Sequence, residues 1–138
     1  MGNGRFNIYL GLVVLIAAAV GGFALGKSLD PYFAQGYAQI PYWRYLTKAG
    51  HTHGMTFGLI NILFGLLISH LTCSERLKRN AAVMTATALF LPLGTCLRGL
   101  TQGAMFTVVF AAIGGFSLIG ACVLLMRGLS RTEKWGSN

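Results

Sequence analysis

Four apolar runs alternate with short polar stretches along the chain, at roughly residues 8–25, 51–71, 81–97 and 105–126. The hydrocarbon layer of a bilayer is about 30 Å thick, and about 17–25 helical residues cross it. Each run meets that length, and none shows the strict alternation of a half-buried strand. Polar backbone groups inside lipid must be satisfied within their own segment. The pattern therefore predicts an all-α fold, an integral membrane bundle of four transmembrane helices in a single membrane domain over residues 1–138. Pro92 interrupts the third run. It removes one backbone donor and frees the carbonyl of Ala88, which predicts a kink. The first run is rich in small residues, and its Gly22 and Gly26 stand at the G-x-x-x-G spacing that lets two helices approach closely.

Residues 27–50 form the longest connection. Pro31 and Pro41 break it, and Tyr32, Phe33, Tyr37, Tyr42, Trp43 and Tyr45 give it the aromatic content of a membrane–water interface, so an outer aromatic loop is expected there. With Arg5 ahead of it, the first run has the outline of a signal peptide, but it reads better as a retained span.

Composition agrees with this reading. Of 138 residues, 54% are hydrophobic, against eleven Lys and Arg and three Asp and Glu, too few charges for the surface of a water-soluble globule. The net charge of +8 is spread over separate short loops, which excludes a nucleic-acid-binding face and points to topology and contact with the lipid bilayer. Arg5, Arg76, Lys78, Arg79, Arg127, Arg131 and Lys134 fall on one side, and Lys27, Arg44, Lys48 and Arg98 on the other. Positive loops stay inside, so both termini are expected in the cytoplasm, with the chain in an inner or plasma membrane. Cys73, Cys96 and Cys122 are isolated and suggest neither a disulfide framework nor a thiolate zinc site.

No Asp or Glu lies within a run, which argues against a carboxylate proton relay. The chemistry gathers instead at His51-Thr52-His53-Gly54-Met55-Thr56-Phe57-Gly58. At 100° per residue, His51, Gly54, Gly58, Gly65 and Ser69 share a stripe, while His53 points the other way with Phe57 and Phe64. A histidine above glycines leaves room for a flat macrocycle, so haem at His51 is one reading. If the helix instead starts after His53, the extended pair with Met55 suits copper. Two interfacial histidines beside a packing stripe of glycines is the third reading. Asn61 is expected to bond across a helix interface, contact with a substrate being the alternative. Arg98 is expected either to snorkel to the surface or to pair with a haem propionate. Tyr42 and Trp43 are expected as interfacial anchors that could also meet a hydrophobic substrate entering from lipid.

Gly36-Tyr37, Pro41, Trp43, Arg44, then Ala49-Gly50-His51 with Gly58 beyond, and Arg98-Gly99-Leu100-Thr101 before the fourth run, resemble the styrene oxide isomerase family of small membrane proteins. The likeness covers the layout of most of the chain and is specific over Pro41 to Gly58. It implies a homo-oligomer, in that family a trimer, with haem b held between subunits by one histidine, here His51. The ferric iron of that family acts as a Lewis acid that opens an apolar epoxide to an aldehyde. Two departures count against the isomerase chemistry: Phe57 stands where the family has asparagine before the glycine, and the third run lacks the family's acidic residue and tyrosine. Two further expectations stay open, a cofactor-free accessory subunit of a larger membrane complex and a copper-handling protein.

Overall fold

The computed structural model describes residues 2–28 and 40–131. Its helices are α1 (Asn3–Lys27), α2 (Tyr42–His70), α3 (Glu75–Thr87), α4 (Phe90–Leu100) and α5 (Phe106–Arg131). Because α3 and α4 run on as one span, four helices among the described residues are long and apolar enough to cross a membrane. The expected all-α bundle is the observed fold. Gly36, Tyr37, the loop aromatics before them and Lys134 lie outside the described residues. We call the end carrying Lys27, Tyr42 and Leu100 the upper end, and that carrying His70, Glu75 and Arg131 the lower end.

The second span corrects the sequence reading. It begins at Tyr42, directly after Pro41, so Tyr42 to Gly50 is helix and not loop. Hydropathy marks where a helix enters lipid, whereas the helix itself stops only at a breaker, and none stands between Pro41 and His51. At 1.5 Å per residue its 29 residues extend about 44 Å, well beyond the hydrocarbon thickness.

The third span breaks where Pro92 predicts. Leu91 N–H reaches the Ala88 carbonyl over three residues, at 3.1 Å, and takes up the acceptor that proline leaves free. At the upper end, Gly103 N–H bonds the Arg98 carbonyl (2.9 Å) and Gln102 N–H the Gly99 carbonyl (3.2 Å). This is a Schellman cap with Gln102 at φ 53° in the left-handed position where glycine is usual.

In the lower half, α1 and α2 meet through glycines. A Cβ on Gly4 would press on the Gly65 carbonyl, and one on Gly11 would lie 2.5 Å from the Gly58 carbonyl. Their seven-residue spacing on both helices makes a straight antiparallel seam, close enough for dispersion to hold it in lipid, where no hydrophobic effect drives association. Asn7 and Asn61 tie three helices together, both fully buried. Asn7 Nδ2 donates to Asn61 Oδ1 (3.1 Å) and to the Ala82 carbonyl (3.0 Å), and Asn61 Nδ2 donates to the carbonyls of Phe57 (3.0 Å) and Thr85 (3.2 Å). Beneath them Ile68, Leu71, Ala81, Ala82 and Leu125 form the apolar core.

Candidate functional site

The break at Ala88–Leu89 separates two packing regimes. Below it α3 contacts α1, α2 and α5, whereas above it α4 packs on α2 and α5 and leaves α1. The parting opens a cleft of about 720 Å³ between the upper halves of α1, α2 and α4. That volume lies within the range of small-molecule sites, roughly 300–1,000 Å³. Val14, Ala18 and Gly21 line it from α1, Gly50, His51 and Gly54 from α2, and Phe90, Leu93 and Cys96 from α4.

Its few polar side chains are mostly committed. Thr47 Oγ1 donates to the Trp43 carbonyl at 2.9 Å, and Cys96 Sγ lies 3.7 Å from the Thr47 carbonyl. His51 is the exception, since its Nδ1 is buried and has no hydrogen-bond partner. The ring stands at the junction of three spaces: the cleft, a groove of about 570 Å³ with Ala19, Gly22, Gly26 and Met55, and a hollow of about 280 Å³ with Arg44, Tyr45 and Lys48. Gly22 permits this position, because a Cβ there would sit 2.8 Å from His51 Cε1. The G-x-x-x-G pair therefore serves the imidazole and the groove, while a Cβ on Gly26 meets no neighbour.

Arg44, named in the family likeness but not as a site residue, belongs to this region. It lies in helix, only 5% exposed, and its guanidinium donates to the Leu25 carbonyl and to Ser28 Oγ, closing the upper end of α1. A cation is favoured at a helix C-terminus, where carbonyls lack partners. The signal was available, since Arg44 stands seven residues before His51 and so shares its stripe.

The other expected residues divide. Gly54 lines the cleft, and a Cβ there would meet only Ala18 Cβ at 3.8 Å. Gly58, expected beneath the ligand, is instead part of the α1 seam, its added Cβ 3.1 Å from Leu15. Phe57, expected with the outward-facing His53, is buried, in the register of Gly50, Asn61 and Ile68 that faces the third span. His53 itself is exposed, its ring 6.4 Å edge-on from Phe57. Asn61 is enclosed in the network with Asn7, which bears out interhelical bonding and removes it from any substrate. Trp43 lines the cleft, whereas Tyr42 is exposed and lines none of the three spaces around His51. Arg98 lines none of them either, and the arginine that shares a hollow with His51 is Arg44.

The copper arrangement requires an extended His51–His53 pair, and both residues lie well inside α2. Among the described residues no cluster of three His, Cys, Asp or Glu side chains is positioned to hold a metal ion. A single-histidine haem needs less. The unpartnered ring nitrogen and the side-chain-free surface of Gly22 and Gly26 are compatible with a planar macrocycle. Comparison with protein-family models, curated proteins and solved structures finds no match.

Proposed function

We propose that the chain is a haem b-binding membrane protein in which His51 supplies the axial nitrogen, and that it isomerises an apolar, epoxide-like substrate drawn from lipid. The observation that carries this reading is the buried His51 Nδ1 without a partner, at the meeting of an apolar cleft and a glycine-floored groove. A buried polar atom is normally satisfied, and a histidine that the fold leaves unpaired beside a cavity favours an external partner. Bound haem supplies a ferric Lewis acid able to polarise a substrate oxygen. The chain's own contribution is the rest of the site. Gly22 lets the imidazole lie close against α1, Gly54 keeps the cleft open, Leu93 and Phe90 give it an apolar wall, and Trp43 lines it as well. Among the described residues no carboxylate lines the cleft.

In this reading the chain works as a homo-oligomer, a trimer by the family resemblance, with both termini on the cytoplasmic side of an inner or plasma membrane. The exposed apolar side chains of α1, Val13, Ile16, Val20 and Phe23 among them, meet lipid or a second copy. Detergent-purified protein is expected to show a Soret band that His51→Ala removes and His53→Ala leaves. A colourless wild type without iron by elemental analysis would replace this reading with a cofactor-free subunit of a larger membrane complex. One observation favours that second reading: Gly58 and Gly65 are accounted for by helix packing alone.

A further inference from the structure

At the lower end, away from the histidine cleft, a hollow of about 250 Å³ lies between the start of α3 and the end of α5, lined by Ser74, Arg76, Leu77, Asn80, Arg127 and Arg131. Two helices thus bring three arginines to the wall of one hollow. Among the described residues Glu75 is the only acidic side chain, and it pairs with Lys78 (3.1 Å) beside a different hollow. The arginines have no counter-ion among those residues. The terminal carbonyls of α5 carry only about half an elementary charge and cannot balance three.

We infer that Arg76, Arg127 and Arg131 bind the phosphodiester headgroup of an anionic glycerophospholipid. Guanidinium forks match phosphate oxygens two at a time, and Ser74 and Asn80 add neutral donors at the same wall. The position suits a lipid, because both helices leave their apolar stretches here, within reach of the headgroup layer. Basic pockets between transmembrane helices are a recurrent form of headgroup recognition. Inorganic phosphate shares this chemistry but lacks acyl chains to hold it against the apolar flank.

The test titrates the delipidated full chain in detergent with phosphatidylglycerol, phosphatidylcholine or inorganic phosphate, counting bound lipid by native mass spectrometry. Phosphatidylglycerol should be retained selectively. The triple variant Arg76→Gln/Arg127→Gln/Arg131→Gln should bind it about a hundredfold more weakly, from the usual worth of three basic side chains at an anionic surface. Arg79→Gln, outside the hollow, should match the wild type. Arg127→Lys/Arg131→Lys keeps the charge and should fall between, which decides the matter should the triple variant lose its helix content by circular dichroism. Equal retention by wild type and arginine variants would overturn the proposal, as would an equal loss in Arg79→Gln. Displacement of the lipid by an equal concentration of inorganic phosphate would also overturn it, assigning the hollow to free phosphate.

Discussion

The two halves of the bundle use the same pair of helices to opposite ends. Below Ala88, α1 and α2 close on each other through Gly4, Gly11, Gly58 and Gly65, and an asparagine pair locks α3 against them. Above it the third span turns away from α1, and the small residues that remain, Ala18, Gly21, Gly22 and Gly54, border open space instead of backbone. Gly50 and Gly99 still hold α2 and α4 backbone to backbone above the break, but at the α1–α2 seam the same residue type means backbone contact in one half and not in the other. What differs is whether a third helix stands behind it, and Pro92 decides where it stops doing so.

Glycine substitutions break this comparison most sharply. Gly11→Ala sets a methyl against a backbone oxygen that cannot yield, and should cost about 1–3 kcal/mol, at the upper end for such overpacking. Gly54→Ala, with one neighbour at 3.8 Å, should change stability by less than about 0.5 kcal/mol. Reversible unfolding in mixed micelles measures both, and equal losses would mean the halves are packed alike.

The asparagine pair comes next. Asn61→Ala leaves two acceptors and the Asn7 amide without their partner. It should cost about 1–2 kcal/mol, near the maximum for hydrogen bonds in a membrane protein. In a double-mutant cycle, Asn7→Ala should add little once Asn61 is gone. Additive losses would contradict a shared network. The smallest effect is expected at the upper turn. Gln102→Gly relieves the left-handed backbone and should stabilise by up to about 1 kcal/mol, read in the same unfolding assay.

Hydropathy made the four spans legible, and Pro92 made the break legible down to the carbonyl it frees. The beginning of α2 was not legible, because Tyr42 to Lys48 are interfacial in composition and yet contain nothing that ends a helix. Phe57 was misjudged for a related reason. One buried stripe describes a helix packed on one side, but α2 is central, with Gly58 and Gly65 toward α1 and Gly50, Asn61 and Ile68 toward the third span. Asn61 announced its need for a partner, whereas Asn7, 54 residues away, could be assigned only by the fold. Arg44 counted as a loop charge because the loop was drawn too long. The cleft was legible only in part: Gly54 beside His51 marked open space, whereas the parting of α4 from α1 that makes the volume follows from the fold.

His51 ties these points together, because among the described residues its Nδ1 is the one buried side-chain nitrogen or oxygen in the open half without a partner. The most direct test is haem titration of purified His51→Gly protein with and without added imidazole, followed by absorption. Axial ligation by this side chain predicts a Soret band in the wild type, its loss in the variant, and its return when imidazole enters the vacated space. A variant that binds haem as the wild type does, with or without imidazole, would contradict the assignment of the cleft to His51.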